Sequence, residues 1–370
     1  FHAVSLGETR AVMPLLRSFK ERRPEVSIVL STVTQTGREL ALKEGRGLVE
    51  RVIYMPLDLS WVVKRALRDV APALFIVVEK EYWPNMIRFA HSSNVPVVVI
   101  NATISERSYK RYSFLSFLFA GVFKKISLFC AKRDEDAKRA TALGIEKNRV
   151  HRVGNIKFDM EDTNAAAQIE GLRDALGITK DDKVIVAGST HEGEELIVLE
   201  AFRELKKEHP KVKLIIAPRH PNRFDEVERT IKEAGFEVKR RSQCGGSNDA
   251  VLLLDTVGEL FLTYALASIN FVGGSLTPVG GHNLLEPAYH STPVLYGPYV
   301  ETCRDMANLL EEAGGSIMVS DKETLTVALA SLLKDNKRRL KMGKSAKAAL
   351  EANKGATIKT IELIEELGAL

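Results

Sequence analysis

The sequence predicts two doubly wound α/β domains, each with a parallel sheet covered by helices on both faces. Short apolar segments alternate with longer amphipathic ones, the usual pattern of strands and crossover helices in parallel sheets. This alternation stops near residue 160 in a polar stretch and then begins again. The 370 residues also exceed what one ordinary core requires. Two such domains are expected to face a cleft in which a ligand binds.

The first predicted domain covers residues 1–160. Its strands are expected at 1–5, 27–32, 51–55, 74–78, 96–100, 127–131 and 149–153. Its helices are expected at 11–22, 37–45, 59–70, 84–92 and 134–143. Proline is best tolerated in the first turn of a helix, so Pro14 predicts that the first helix begins at residues 10–13.

The second predicted domain covers residues 161–350. Its strands are expected at 183–187, 212–217, 251–254, 268–272 and 293–296, and its main helices at 192–208, 222–234, 301–313, 321–334 and 336–353. Ser189 or Thr190 is the expected cap of the first of these helices. Residues 351–370 are predicted to form a C-terminal helix, with the first domain as a candidate packing partner.

Composition argues against a disulfide scaffold, a cysteine-ligated metal site and a membrane-spanning segment within this sequence. The three cysteines, Cys130, Cys244 and Cys303, have neither disulfide-scaffold nor metal-ligand spacing, and no apolar run approaches 18 residues. Residues 1–160 carry 27 basic and 16 acidic side chains, a net of +11; the remainder carry 26 and 32, a net of −6, which sum to +5. The basic domain is therefore expected to face an anionic partner, unless the asymmetry only reflects solvated helix faces.

Two glutamates follow apolar strands of the first domain. With the usual strand order 3-2-1-4-5, Glu8 and Glu79 lie across one crevice, although they are far apart in sequence. A carboxylate near a second carboxylate is a candidate general base with a raised pKa. Alternatively, Glu8 only caps the helix and interacts with its dipole. Spacing alone leaves both interpretations open.

The strand ends of the second domain point to a nucleotide. The glycine-rich loop at 273–288 is expected to leave backbone N–H groups free for a phosphate, ahead of a short helix opened by Asn283. Glu286 would accept hydrogen bonds from a ribose diol, and Pro218-Arg219-His220 offers a cationic contact. GxGxxG, GxxxxGK[ST] and HExxH motifs are absent, which disfavours dinucleotide binding, P-loop hydrolysis and a zinc site.

Together these stretches closely resemble the bacterial 3-deoxy-D-manno-octulosonic acid (Kdo) transferases of lipopolysaccharide synthesis. The resemblance runs from residue 1 to about 345 and rests on the stretches HAVSLGET, VEKEYWPN, NATISERS, GNIKFD, AGSTHEGEE, APRHPNRF, DTVGEL and GGSLTPVGGHNLLEP. It implies a GT-B fold and inverting, metal-free transfer of Kdo from CMP-Kdo to a lipid A precursor such as lipid IVA. No cofactor and no nucleic-acid partner are expected.

The resemblance also implies roles for individual residues. Glu8 matches the family's general base, and Glu79 and Lys157 match groups that stabilise the transition state. The CMP contacts match the following residues: Pro218, Arg219, His220, Val257, Gly258, Glu259, Asn283, Leu284, Leu285 and Glu286. VEKEYW stands where the family commonly has METELW, and Val257 where methionine is usual; neither change removes a charged site residue.

The acceptor implied by the resemblance is an anionic glycolipid. We therefore expect the basic domain to face an anionic membrane surface, on the cytoplasmic side of the bacterial inner membrane, with peripheral binding or an N-terminal anchor ahead of residue 1. The stretch at 111–125, with four phenylalanines between Arg111 and Lys124-Lys125, suits an interfacial helix or an acyl-chain groove, or else a core helix. The alternatives in function are another GT-B glycosyltransferase, a UDP-sugar epimerase, or a non-catalytic nucleotide-sugar-binding protein.

Overall fold

A computed structural model describes residues 1–159, 165–243 and 251–368 of the chain. The predicted boundary at residues 160 and 161 and the third cysteine, Cys244, lie outside these residues. Contacts between Cα atoms divide the chain into two compact units. Unit 1 comprises Phe1–Glu161 and Asn353–Leu370, and unit 2 comprises Asp162–Ala352.

Unit 1 contains a parallel sheet that is built around the first residues of the chain. His2 bridges Ser31 on one side and Val77 on the other, both in parallel orientation. The N-terminal segment therefore lies between β1 and β3, and the sheet order is β2-β1-N-terminal segment-β3-β4-β5-β6. Its named strands are β1 Val29–Thr32, β2 Arg51–Tyr54, β3 Phe75–Val78, β4 Val97–Ala102, β5 Leu128–Ala131 and β6 Val150–Arg152. The predicted order 3-2-1-4-5 is confirmed.

The helices of unit 1 that lie within residues 1–159 cover this sheet. They are α1 Leu6–Arg22, α2 Gln35–Glu44, α3 Ser60–Val70, α4 Pro84–Ser92, α5 Glu106–Phe114, α6 Ser116–Phe123 and α7 Asp134–Ala142. Successive residues of β3 and β4 enter different cores: Ile76 and Val98 pack on one face, and Val77 and Val97 on the other. This alternation buries both faces of the sheet, as the continuous apolar strands predict.

The predicted start of the first helix is wrong. Helix α1 begins at Leu6, not at residues 10–13, so Pro14 lies inside the helix and Glu8 lies within its first turn. Ser5 caps this helix, because its hydroxyl accepts a hydrogen bond from the Glu8 N–H at 3.3 Å. A capping box therefore fixes the start of α1, and the interior Pro14 leaves one carbonyl without its usual donor.

Unit 2 has a seven-stranded parallel sheet of order β13-β12-β11-β7-β8-β10-β9. The strands are β7 Val184–Thr190, β8 Lys213–Pro218, β9 Val238–Arg240, β10 Val251–Leu253, β11 Ile269–Val272, β12 Val294–Tyr296 and β13 Ser316–Met318. Strand order reverses between β7 and β11, which places the switch point there. The two strands that sequence patterning missed, β9 and β13, are three-residue edge strands with only weak apolar character.

The helices of unit 2 are α8 Ala165–Ala175, α9 Glu194–Glu208, α10 Phe224–Glu233, α11 Leu260–Tyr264, α12 Leu285–Tyr289, α13 Arg304–Glu312, α14 Lys322–Lys334 and α15 Asn336–Ala352. Part of the polar stretch near residue 160 is thus helical. The predicted cap of α9 is wrong, because Gly193 precedes the helix and makes no side-chain cap, while Thr190 ends β7.

The last helix, α16 Ala356–Glu366, belongs to unit 1. Its Ile361 and Ile364 are fully buried in the core that α1 also lines. Asp159 accepts hydrogen bonds from the Gly355 and Thr357 N–H groups at 2.6 and 2.5 Å, so a carboxylate lies at the start of this helix. The chain therefore returns to its N-terminal unit after completing unit 2.

The stretch at 111–125 forms two helices, α5 and α6, which meet at Leu115. Tyr112 and Phe123 are buried in the core beneath α4, whereas Phe114 and Phe117 are 84% and 80% exposed. One side of the segment is therefore core, as one interpretation predicts, and with two phenylalanines facing outward the interfacial interpretation stays a prediction. Within the described residues, no helix is both long enough and apolar enough to cross a membrane.

Candidate active site

The switch point of unit 1 brings the predicted pair of glutamates together. The N-terminal segment leads into α1 with Glu8 in its first turn, and neighbouring β3 ends at Val78, immediately before Glu79. Because both segments end at the same edge of the sheet, their carboxylates act on each other electrostatically. The topology therefore accounts for an electrostatic interaction between residues that are distant in sequence.

Glu8 combines a structural contact with an unusual titration. Its Oε2 accepts hydrogen bonds from the N–H groups of Val4 at 2.6 Å and Ser5 at 3.4 Å, completing the capping box. Burial, together with the negative charge of Glu79, raises the pKa of Glu8 to about 7, against the lowering effect of those two hydrogen bonds. The side chain thus caps the helix and is also poised to exchange a proton near neutral pH.

Glu79, in contrast, is held in the ionised state. Its Oε1 lies 2.8 Å from Nζ of Lys157 and 3.6 Å from Nζ of Lys132, and it accepts a hydrogen bond from Nδ2 of Asn101 at 3.3 Å. Burial alone would raise the pKa of Glu79, but the two lysines outweigh it and the pKa is lowered. Glu79 has a φ of +67°, a backbone conformation that non-glycine residues seldom adopt outside functional sites.

The two carboxylates therefore differ in protonation behaviour. Glu79 is ionised in an ion-paired pocket, and Glu8 has a pKa of about 7, which is close to neutral pH. When two titratable groups in an enzyme site have pKa values that are far apart, the difference indicates which group takes which acid–base role. Chemically, Glu8 can accept a proton from a hydroxyl, while Lys157 beside Glu79 can stabilise a developing negative charge.

Sequence reasoning missed two members of this cluster, Lys132 and Asn101. Lys132 directly follows β5, and its side chain is only 10% exposed. Asn101, near the end of β4, donates to Glu79 and accepts from the Ile156 N–H at 3.2 Å, which links Glu79 to the segment that carries Lys157. Both positions follow or end a strand, so a complete survey of strand ends would have found them.

The first part of the glycine-rich loop of unit 2, Gly274 to Leu276, does not offer the free donors that the sequence predicts. The fully buried carboxylate of Glu194 accepts hydrogen bonds from the N–H groups of Gly274 at 2.7 Å, Ser275 at 2.9 Å and Leu276 at 2.8 Å. It also accepts from the N–H of His191 at 2.9 Å. An internal carboxylate thus occupies the anion-binding backbone of this loop, joining the ends of β7 and β11.

The residues predicted to contact a nucleotide lie along the same edge of the unit 2 sheet. Pro218 is buried at the end of β8, and Arg219 and His220 follow it on the surface. Nδ2 of Asn283 donates to Oε1 of Glu286 at 3.1 Å, which orients that carboxylate. The short helix α12 begins at Leu285 rather than at Asn283, and its five residues give only a weak dipole.

Leu284 and Leu285 are fully buried. Val257 is 76% exposed, and Gly258 has a φ of +100°, a conformation that favours glycine. Oε1 of Glu259 lies 3.0 Å from Nη2 of Arg241. This segment follows β10, two strands away from β7 in the sheet.

Across the described parts of the chain, no group of three or more histidine, cysteine, aspartate and glutamate side chains is arranged to hold a metal ion. Cys130 and Cys303 are buried free thiols, and burial raises the pKa of each to about 12. Neither thiol therefore offers a thiolate ligand or nucleophile at neutral pH.

Comparison with known proteins identifies matching families for both halves of the sequence. Residues 1–160 match the family model described as 3-deoxy-D-manno-octulosonic-acid transferase (kdotransferase), and residues 169–349 match glycosyl transferases group 1. The 3-deoxy-D-manno-octulosonic acid transferase of Haemophilus influenzae is 36% identical over 369 residues, covering 98% of this chain and 86% of that protein. The Aquifex aeolicus transferase is 33% identical, covering 90% of this chain and 85% of its own length.

Solved structures with this fold include nucleotide-sugar enzymes of low sequence identity. An Anabaena protein crystallised with UDP matches with a TM-score of 0.65 and 14% identity, covering 100% of this chain and 99% of that one. UDP-GlcNAc 2-epimerase from Neisseria meningitidis matches with a TM-score of 0.60 and 14% identity, covering 95% and 98%. At this identity the likenesses show the fold alone, and the predicted GT-B class is confirmed.

Proposed function

The chain belongs to the family of 3-deoxy-D-manno-octulosonic acid transferases and is a glycosyltransferase, and from this premise we propose its donor, acceptor and base. The donor is CMP-Kdo, and the acceptor is a hydroxyl of a lipid A precursor such as lipid IVA. Transfer inverts the anomeric carbon, because one base acts directly on the attacking hydroxyl. Family membership decides against the epimerase and the non-catalytic alternatives.

The observation that supports the base is the divergence of the two carboxylates in unit 1. Glu8, with a pKa of about 7, accepts the proton of the acceptor hydroxyl as its oxygen attacks the anomeric carbon. The bond to the phosphate breaks, and its electron pair leaves with CMP. Glu79 remains ionised and holds Lys157, which faces the negative charge of the reacting groups.

Unit 2 provides the residues proposed to bind CMP. Arg219 and His220 are exposed after β8, where a phosphate or the Kdo carboxylate can reach them. Glu286, oriented by Asn283, is available to a ribose hydroxyl. These side chains can compensate the charge of the leaving phosphate, so we propose that the reaction requires no metal ion and no other cofactor.

We also propose that unit 1 binds the cytoplasmic surface of the inner membrane, where an anionic glycolipid acceptor would be located. The support is the net charge of +11 over residues 1–160 and the outward-facing Phe114 and Phe117. Basic residues near an anionic membrane contribute about 1 kcal/mol each, and aromatic side chains bind at the interface. The two features together favour peripheral binding through this unit.

The decisive experiment is product analysis by mass spectrometry with CMP-Kdo and a tetraacyl lipid A precursor. We expect a mass increase of one or more Kdo residues, with undiminished product in the presence of EDTA. Product formation without loss in EDTA supports the donor, the acceptor and the metal-free chemistry together. Absence of product with CMP-Kdo contradicts the donor–acceptor assignment, and loss of product only in EDTA contradicts metal independence.

A further inference from the structure

Two histidines meet at the switch point of unit 2. His191 follows β7 and His282 lies in the loop after β11, and their Nε2 atoms are 2.7 Å apart. Their rings are stacked with centroids 5.0 Å apart and an interplanar angle of 12°. Glu194 joins the two backbone segments that carry these histidines, because its carboxylate accepts hydrogen bonds from the N–H groups of His191 and Gly274. The pair is therefore held by the fold.

A short contact between two Nε2 atoms defines how many protons the pair holds. One Nε2 must donate and the other must accept, so the neutral pair contains one shared proton. The accepting ring then carries its own proton on Nδ1. A third proton makes the pair cationic and leaves an N–H donor on Nδ1 of both rings. The pair can thus gain both a positive charge and a hydrogen-bond donor by taking up one proton.

The surroundings disfavour that third proton in the free protein. Burial lowers the pKa of His282 to about 3, and the positive charge of Arg219 and the neighbouring imidazoles act in the same direction. The pKa of His191 is also lowered, by burial and then by His220 and Arg223. The His220 ring is 5.3 Å from the His191 ring, edge to face. Positive charge therefore faces the pair from the loop after β8 as well.

Of the carboxylates near His191 in sequence, Glu192 is exposed, and Glu194 and Glu195 are engaged elsewhere. Glu194 accepts four backbone hydrogen bonds, from His191, Gly274, Ser275 and Leu276. Glu195, which favours protonation of His191, lies 2.8 Å from Nη1 of Arg223. In the described part of unit 2, neither histidine side chain has a hydrogen bond to a carboxylate. A bound anionic ligand would therefore compensate the charge of a protonated pair.

We propose that His191 and His282 bind the phosphate of the sugar nucleotide and take up one proton when it binds. This inference rests on the proposed function, because it assigns the pair to the same donor. A phosphate that approaches Arg219 brings negative charge to the pair, reversing the electrostatic effect that keeps it neutral. The phosphate gains a further negative charge when the glycosidic bond breaks, and a cationic pair stabilises that charge.

The test is calorimetric binding of CMP at pH 8 in two buffers with different ionisation enthalpies, which measures proton uptake. CMP is already fully ionised at this pH, so an uptake of up to one proton by the wild-type protein reports the protein side of the complex. We expect His191→Gln and His282→Gln to weaken CMP binding about tenfold or more and to abolish the uptake. His209→Gln, at the end of α9, serves as the matched control and should bind like the wild type.

Equal affinity and equal proton uptake in wild type and both variants overturn the inference, and so does wild-type binding without uptake. Circular dichroism and the melting temperature establish that each variant is folded, and a variant that does not fold is replaced by His→Asn at the same position. Kdo transfer by the wild-type enzyme is measured in parallel. If the wild-type enzyme transfers Kdo and the variants take up as many protons as the wild type, only the role of the histidine pair is rejected. If the wild-type enzyme neither transfers Kdo nor binds CMP, the proposed donor is rejected and this inference with it.

Discussion

Nζ of Lys157 lies 2.8 Å from Oε1 of Glu79, and this ion pair separates the behaviour of two neighbouring carboxylates. With Lys132, it overcomes the effect of burial and lowers the pKa of Glu79. The resulting negative charge adds to burial in raising the pKa of Glu8 to about 7. The lysines thus influence the proposed base through Glu79, by keeping that carboxylate charged.

Replacing Glu8 with glutamine should abolish most of the transfer activity. Glutamine cannot accept the acceptor's proton, and general-base catalysis contributes about 10²–10⁴-fold to rate, so we expect kcat to fall by about that factor. Gln also serves in a capping box, so α1 should keep its start at Leu6. The measurement is initial rate of Kdo transfer, with circular dichroism to verify folding.

The matched control is Glu21→Gln, which removes an exposed carboxylate from the same helix and should leave the rate unchanged. A folded Glu8→Gln enzyme with near-normal transfer would show that Glu8 is only the capping residue. That outcome would support the alternative interpretation of the sequence, in which Glu8 only caps the helix and interacts with its dipole.

Glu79→Gln should shift the acidic limb of the pH–rate profile to lower pH. In the wild-type enzyme the rate should rise with pH and reach half its maximum near pH 7, because the base must be ionised. Removing the charge of Glu79 removes a like charge that raises the pKa of Glu8, and its loss favours ionisation of Glu8.

The measurement is kcat/KM against pH, normalised to each enzyme's own maximum, because the maximal rate should also fall when Lys157 loses its partner. Glu21→Gln again provides the control, with the midpoint expected at the wild-type pH. A midpoint that stays in place or moves to higher pH in Glu79→Gln contradicts the electrostatic coupling of the two carboxylates.

Much of unit 1 was predictable, because parallel strands have strong apolar signals and a restricted topology. The strand order places Glu8 and Glu79 at one switch point from sequence alone. The predicted start of α1 was too late, because Pro14 was expected in the first turn, whereas the capping box formed by Ser5 and Glu8 starts the helix at Leu6. Asn101 and Lys132 end or follow strands and could have been identified on that ground, but their contacts with Glu79 are tertiary and were not predictable from a local pattern.

Unit 2 shows a different limit of sequence reasoning. Glycine residues in the loop after β11 do make backbone N–H groups available, as the composition predicts. A sequence does not reveal that Glu194, about 80 residues earlier, accepts those hydrogen bonds from Gly274, Ser275 and Leu276. The pairing of His191 with His282 depends on the same long-range approach of two strand ends.

Glu194→Gln should destabilise unit 2 strongly. The buried carboxylate accepts four backbone hydrogen bonds, and the glutamine amide would present donors to at least some of these N–H groups. Buried donors left unsatisfied cost about 1–3 kcal/mol each, so we expect a loss of about 3 kcal/mol or more in the free energy of unfolding. Thermal and chemical denaturation measure the change.

Glu192→Gln, an exposed neighbour in the same turn, should have a melting temperature within about one or two degrees of the wild type. A Glu194→Gln protein as stable as this control would mean that the loop after β11 does not depend on the internal carboxylate. The phosphate site that the sequence predicts in that loop would then regain support.

Phe114→Ser with Phe117→Ser should weaken binding to anionic lipid vesicles by at least about tenfold. These side chains are 84% and 80% exposed, so their replacement removes apolar surface from the proposed interface without opening the core. Transfer of a phenylalanine side chain out of water contributes about 1.5–3 kcal/mol, and 1.4 kcal/mol corresponds to a tenfold change. Vesicle sedimentation with anionic and neutral lipids measures the affinity.

Val327→Ser is the matched control, since Val327 is an apolar side chain of α14 in unit 2 that is 69% exposed. It should bind vesicles like the wild type. Lys124→Glu with Lys125→Glu should also weaken binding, and that loss should diminish as salt increases, because the attraction of basic residues to anionic lipid is screened. If vesicle binding survives both double substitutions, the segment at 111–125 does not contact the membrane, and its exposed phenylalanines require a different partner.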